Sequence, residues 1–293
     1  NMKHRLHEPR HLVSLRRVPE LRGFAIDDEE LVLGAGEPLA AIATDPRVRT
    51  HAPALAAAAG QVAGPQLRNM GTLGGNLCLD TRCTYYNQTY FWRRSLGFCL
   101  KKDGDTCHVT QVGTKCVAAH SADTPPVLWA LGASADLVSP RGRRSVPVED
   151  FFVADGVANT VRRPDEVVTR LRIPLPRPGT RMAFRKVRPR RAIDFPSLNL
   201  AAVAELEPDD RVRSLRIVVS GLGARPRELS GLDDVAGGRL DEAVVEAVAA
   251  RAFQQCRPLT NNIVDPEWRR AMVPVYVRRA LTELRGSATA RAG

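Results

Sequence analysis

Five of the chain's six cysteines, Cys78, Cys83, Cys99, Cys107 and Cys116, fall within one short segment, and the sixth, Cys256, stands far from them. Thiols at this density can form disulfides, hold zinc or carry an iron–sulfur cluster. Disulfide frameworks belong to small secreted domains without a sufficient core, whereas this 293-residue chain is 44% apolar and has the material for a core. A structural zinc site usually contains a close C-x2–4-C pair, and only Cys78 with Cys83 approaches one. The last four thiols follow C-x15-C-x7-C-x8-C, which matches neither of the two common ferredoxin spacings. On chemistry alone iron–sulfur ranks first, zinc second, and disulfide or plain structural cysteine third; spacing does not decide among them. His108 and His120 are candidate extra ligands, although a surface or loop position suits each of them better.

Directly ahead of the thiols, "GPQLRNMGTLGGNL" sets Gly71, Gly74 and Gly75 among Asn69, Thr72 and Asn76. Glycine lets the backbone approach a ligand closely, so that N–H groups can reach phosphate oxygens and neighbouring amides and hydroxyls can add directed bonds. No Gly-Lys-Ser/Thr follows, and the run succeeds a helix pattern instead of a strand. That disfavours a Walker loop and a dinucleotide Rossmann fingerprint. A tight surface turn is the plain alternative.

These residues need elements to hold them. Residues 21–36 read as a β-hairpin around the acidic turn Asp27–Glu30. An alanine-rich helix starts near Pro53 with Leu55, Ala58, Ala59 and Val62 on its apolar face, and Gly64-Pro65 stops it. The cysteine segment holds six of the chain's fifteen aromatic residues (Tyr85, Tyr86, Tyr90, Phe91, Trp92 and Phe98) and reads as an insertion with its own small core. The surrounding pattern then resumes with a helix around Pro126–Leu131, a strand over Ala135–Val138, and the closing stretches "VEDFFV" and "EVVTRLRIPLP". Residues 173–181 are proline-rich and mark a boundary. Beyond it come three strands, "RMAFRKV", "SLNLAAVAEL" and "RVRSLRIVVSGLG", predicted to be antiparallel. Two helices follow. Asp241 is the expected N-cap of the first, with Ala243, Val244, Ala247, Val248 and Phe253 as its apolar positions; Pro274 predicts a kink or break in the second. Cys256 reads as a core residue, and only the tail "SATARAG" is of low complexity.

The net charge of +11 comes mostly from arginine scattered end to end, which argues against a nucleic-acid footprint and suits an acidic protein partner better. No apolar run reaches the length of a membrane span. No signal peptide is visible, and the opening "NMKHRL" reads as the middle of a chain.

Together these stretches resemble, over nearly their whole length, the flavin-binding subunit of the molybdenum hydroxylase (xanthine dehydrogenase) family. "LRNMGTLGGNL" is similar to the family's second FAD-binding loop, "SADTPPVLWALGA" to the segment whose aspartate contacts the flavin side chain, and "FRKVRPRRAIDFPSLNLAA" to the start of its C-terminal domain. The resemblance implies an α+β fold: an FAD-binding domain of the PCMH/vanillyl-alcohol-oxidase type over 1–176, and a C-terminal domain of the CO dehydrogenase flavoprotein type, a three-stranded sheet with helices, over 180–285. It implies FAD held by Asn69, Gly71, Thr72, Gly74, Gly75, Asn76, Asp123, Lys186 and Asp194. The family's first flavin loop, of Gly-Gly-Thr-Asp type in an N-terminal α/β subdomain, is expected just before Asn1, so the chain reads as a fragment.

An insertion over 79–118 with this cysteine spacing resembles the 4-hydroxybenzoyl-CoA reductase branch of the family. There the insert carries a [4Fe–4S] cluster, which implies Cys83, Cys99, Cys107 and Cys116 as ligands and leaves Cys78 on the flavin side. The implied role is cytoplasmic electron transfer from a reduced ferredoxin through the cluster to FAD. From there electrons pass to [2Fe–2S] clusters on a small subunit and a molybdenum cofactor on a large subunit, where 4-hydroxybenzoyl-CoA becomes benzoyl-CoA. No residue of this chain is then catalytic for that step. Arg93, Arg94, Lys101 and Lys102 are the expected greeting for an acidic ferredoxin. Two alternatives remain open: an FAD subunit of an oxidising molybdenum hydroxylase, and a zinc-stabilised binding module without redox function.

Overall fold

The computed structural model describes residues 1–110 and 113–286; the low-complexity tail noted above lies outside them. Two antiparallel sheets organise the chain. The first contains β1 (Phe24–Ile26), β2 (Glu30–Gly34), β3 (Ser134–Ser139), β4 (Gly142–Pro147) and β5 (Val167–Pro174), in the order β1-β2-β5-β3-β4. The expected hairpin is β1–β2, its turn closed by Asp27 Oδ1, which accepts from the N–H groups of Glu29 and Glu30. β5 lies between the two hairpins β1–β2 and β3–β4 and joins them. The excursion from β2 to β3 carries the glycine run and all five clustered cysteines.

That excursion is more helical than its sequence suggests. Three short helices, α1 (Leu39–Thr44), α2 (Pro46–His51) and α3 (Pro53–Gly60), stand where one is expected. Pro65, expected to end a helix, instead opens α4 (Pro65–Met70), because proline lacks only an N–H that the first helical turn leaves unpaired. The glycine run is not an open loop. It forms α5 (Leu73–Leu77), capped by Thr72, whose Oγ1 accepts from the Gly75 N–H at 3.1 Å. Within the insert, α6 (Tyr90–Ser95) is the one helix among its described residues, and Leu6, Tyr86 and Cys99 form a small buried cluster there.

α7 (Pro125–Ala130) and α3 pack against the second sheet, so Val127 and Leu128 share one buried cluster with Phe184, Ala201 and Val218. α8 (Val148–Phe151) follows β4 and adds Phe151 to that cluster. The second sheet runs β6 (Thr180–Val187), β7 (Leu198–Leu206), β8 (Val212–Ser220) and β9 (Arg227–Glu228) in that order. It is four-stranded, not three-stranded; the two-residue β9 is too short to carry a periodicity.

α9 (Glu242–Gln255) and α10 (Pro266–Gly286) pair with each other beside this sheet. Asp241 caps α9 as expected, accepting from the Val244 N–H. Its buried face is Val245, Val248, Ala249 and Ala252, whereas Ala243, Ala247 and Phe253 are exposed. Alanine and valine surround both faces, so the pattern alone does not set the helix rotation. α10 runs through Pro274 without a break. Its burial of Val273, Val277, Ala280, Leu281 and Leu284 outweighs the local cost of one lost hydrogen bond. Among the described residues no helix is long and apolar enough to cross a membrane.

Candidate functional site

At the seam between the two sheets a cavity of about 410 Å3 is lined by Gly71, Thr72, Gly75, Asn76, Asp123, Lys186 and Asp194, which come from α4, α5, the stretch before α7, and β6 with the loop after it. Apolar side chains, including Leu39, Val62 and Phe195, complete the wall. Seven of the nine predicted cofactor residues are therefore brought together. Gly74 lines a second cavity of about 360 Å3, which also includes Thr72, Gly75, Arg162 and Glu166. Asn69 lies exposed on α4 and lines neither cavity. Thr72 and Gly75 face both spaces, so an elongated dinucleotide can lie across this turn.

The glycines work differently from the expectation. Leu73 N–H donates to Glu37 O and Gly74 N–H to Ala35 O, so these groups are spent within the fold. A Cβ on Gly74 would meet Ala35 Cβ at 2.8 Å, and its glycine identity serves close packing against the chain after β2. Gly75 is exposed, its N–H shared only with the Thr72 hydroxyl, and both groups are within reach of a ligand.

Lys186 and Asp123 form an ion pair at 2.7 Å with side chains only 1% and 4% exposed. Asp123 also accepts from Asn199 Nδ2 at 3.0 Å, and Lys186 donates to Gln61 O. Burial pushes the Asp123 carboxyl up and the Lys186 ammonium down, and their mutual attraction only partly offsets this. Asn76 Oδ1 accepts from the Thr124 N–H and hydroxyl, holding the pre-α7 stretch against α5. Asn199 was missed in the sequence, although an amide on an otherwise apolar strand is a readable signal. Asp194 sits at the rim, where Arg190 holds it below the usual carboxylate range.

The insert's Cys83, Cys99, Cys107 and Cys116 all line one small enclosed space, with Tyr86, Lys101 and His108. None of the six cysteines is paired in a disulfide. Among the described residues no group of three His, Cys, Asp or Glu side chains is arranged to hold a metal ion. One of the thiols is nonetheless prepared for negative charge. Burial raises Cys107, but the Thr110 hydroxyl and the N–H groups of Thr110, Val109 and Val117 outweigh it and bring the thiol below its ordinary value. Burial pushes the Cys116 thiol up, and the Ala118 N–H, from which its Sγ accepts at 3.4 Å, only partly offsets this. Burial pushes Cys83 up to about 11, with smaller contributions from the other three thiols. Cys78 packs instead against the main core and lines the second cavity with Arg162.

Two of the four cations expected to face a partner are buried. Lys101, 5% exposed, donates to Asp80 Oδ1, Thr81 Oγ1 and Gly156 O. Arg93, 1% exposed, reaches Asp103 through Nη1 and leaves Nε and Nη2 without a partner. A four-residue cationic face is thus reduced to Arg94, exposed, and Lys102, partly so; of the two charges turned inward, Lys101 lines the thiol cavity, where an anionic occupant would offset its burial. Gly156, far from the thiols in sequence, closes the space. A Cβ there would meet Cys116 Sγ at 2.7 Å.

His120 is fully buried, contrary to its expected surface position. Burial holds it neutral, down to about 3, with its ring edge-on to Phe152. Arg269, also fully buried, donates to Ser197 O, Leu259 O and Asn261 Oδ1. Asn261 in turn holds both ends of the insert, accepting from the Thr84 N–H and donating to Val117 O.

Residues 1–176 match the model of the FAD binding domain in molybdopterin dehydrogenase, and residues 183–284 match the CO dehydrogenase flavoprotein C-terminal domain. The carbon monoxide dehydrogenase medium chain of Hydrogenophaga pseudoflava is 28% identical, covering 96% of this chain and 83% of its own length. A putative xanthine dehydrogenase FAD-binding subunit of Escherichia coli K12 is 26% identical, over 94% and 81%. The solved carbon monoxide dehydrogenase from Hydrogenophaga pseudoflava superposes with a TM-score of 0.76 at 26% identity, covering 96% of this chain and 84% of that one.

Proposed function

The chain belongs to the flavoprotein family defined by the FAD binding domain in molybdopterin dehydrogenase, and from that premise we propose that it is the electron-transferring subunit of a reductive molybdenum enzyme. The substrate of that enzyme is 4-hydroxybenzoyl-CoA, reduced to benzoyl-CoA on a separate molybdenum subunit. A small [2Fe–2S] subunit completes the complex, and a reduced ferredoxin is the donor.

The observation that carries this reading is the convergence of Cys83, Cys99, Cys107 and Cys116 on one enclosed space beside an FAD cavity. Around one zinc ion four sulfurs crowd together, whereas around a four-iron cage they stand further apart. Four thiols lining one space are the donor set that such a cage takes. Bound iron–sulfur and flavin groups supply one-electron transfer and an exchange between one- and two-electron carriers. The chain's own part is to hold and tune. Thr72, Gly75, Asn76, Asp123 and Lys186 contain the flavin end, the Thr110 hydroxyl and the backbone N–H groups around Cys107 stabilise thiolate charge there, and Lys101 offsets it at Cys116.

The test is anaerobic purification of the whole complex. About four iron atoms per flavin subunit, beyond those of the small subunit, are expected, together with viologen-driven loss of the hydroxyl from 4-hydroxybenzoyl-CoA. An iron-free or zinc-loaded insert overturns the cluster reading. The relatives, a carbon monoxide dehydrogenase among them, favour a second reading, an oxidising hydroxylase whose insert is an added relay. Oxidation of an organic substrate without any dehydroxylation selects it.

A further inference from the structure

A third cavity, of about 280 Å3, lies between the thiol space and the FAD cavity. Arg82 and Cys83 line one side of it, and Ser121, Asp194 and Phe195 are shared with the FAD cavity. We propose that Arg82 is a positioning residue of the FAD cavity, setting its wall through Phe195 and so making FAD retention depend on closure of the cysteine insert.

The Arg82 guanidinium stands 4.0 Å from the Phe195 ring centroid. Among the described residues it makes no hydrogen bond or ion pair, so beside the longer-range attraction of Asp80 and Tyr86 the aromatic face is its principal contact. Phe195 is 43% exposed and lies outside the three buried clusters, so no core packing fixes its ring. The backbone of Arg82 is fixed from the other direction. Its N–H donates to Ala119 O at 2.8 Å, and the Ala119 N–H donates to Arg82 O at 2.6 Å. This pair closes the neck of the insert, one residue before Cys83 and three after Cys116. Asn261 fastens the same neck at Thr84 and Val117. When the thiols are held together the neck is closed and Arg82 stands over Phe195. When the insert opens, Arg82 withdraws, and a wall of the FAD cavity loses its support.

This inference rests on the iron–sulfur reading only for what closes the insert. The test measures FAD release from the complete complex by recovery of flavin fluorescence after dilution, with iron counted in each sample. Arg82→Gln and Phe195→Leu are expected to release FAD about tenfold faster at unchanged iron content, an effect within the range of a partly desolvated cation–aromatic contact. Arg82→Lys and Phe195→Tyr keep a cation and an aromatic face and are expected to stay within about twofold of the wild type. Removal of iron from the wild type with ferricyanide and a chelator is expected to speed release to the same extent, and to add nothing in Arg82→Gln. Unchanged release in Arg82→Gln and Phe195→Leu overturns the proposal, as does a full response to iron removal in Arg82→Gln. A wild type without iron refutes the iron–sulfur reading alone, while the substitutions still decide the role of Arg82.

Discussion

Replacing Lys186 with methionine removes the cation from a pair at 2.7 Å whose carboxylate is 4% exposed. Asp123 then keeps one direct partner, Asn199 Nδ2, besides the field of Arg188. Breaking a buried pair from one side costs about 3–5 kcal/mol, because a charge is left uncompensated in a low-dielectric site. At about 2–4 °C per kcal/mol for a unit of this size, the melting temperature should fall by roughly 10 °C. The double variant Lys186→Met with Asp123→Leu removes both charges and should recover most of that loss.

The pH dependence has a defined sign. Burial already places the folded Asp123 carboxyl above its unfolded value, so the native state binds more protons across that window and this group's contribution falls as pH rises through it. Without Lys186 the folded value rises further, so the variant's deficit is smaller at pH 5 than at pH 8. Lys186, lowered in the fold by burial, acts in the opposite sense between its depressed value and the ordinary lysine range, and only in the wild type. Urea unfolding at the two pH values, followed by tryptophan fluorescence, measures this directly. A Lys186→Met protein as stable as the wild type, or a double variant that simply adds the two single losses, refutes the reasoning.

Serine at Cys83, Cys99, Cys107 or Cys116 should each remove the visible iron–sulfur absorption and bound iron, whereas Cys78→Ser should retain both; iron analysis of the five variants checks this. Gly156→Ala places a methyl group 2.7 Å from Cys116 Sγ and 3.0 Å from the Ala118 nitrogen, so iron content should drop and FAD release should quicken as it does on iron removal from the wild type. Gly74→Ala drives a methyl into Ala35 and should destabilise the fold by about 1–3 kcal/mol, read as a lower urea midpoint and weakened FAD retention.

Local signals carried much of the architecture. The β1–β2 hairpin was legible because Asp27 both terminates a strand and bonds its own turn, and β6, β7 and β8 because branched and apolar runs have few other uses. The helical state of Leu73–Leu77 was not legible, since Gly74 and Gly75 are poor helix formers held there by Thr72 and by contact with Ala35. The exposed faces of the insert were misjudged for the same reason. Nothing local distinguishes Arg94, which is exposed, from its neighbour Arg93, which is enclosed by Asp103 and the rings of Tyr90 and Phe98.

What chain order alone carried was chemical identity: a glycine run of flavin-loop type, five crowded thiols, and an aspartate and a lysine in recognisable surroundings. Folding settled which of these meet. Asp123 and Lys186 lie 63 positions apart and pair across the seam between two sheets. Cys116 owes its space to Gly156, and Cys78 is turned away from the other thiols toward Arg162. Such pairings depend on long-range closure of the chain, in which burial and steric fit select one partner from many of equal local preference, and no short window of residues contains that information.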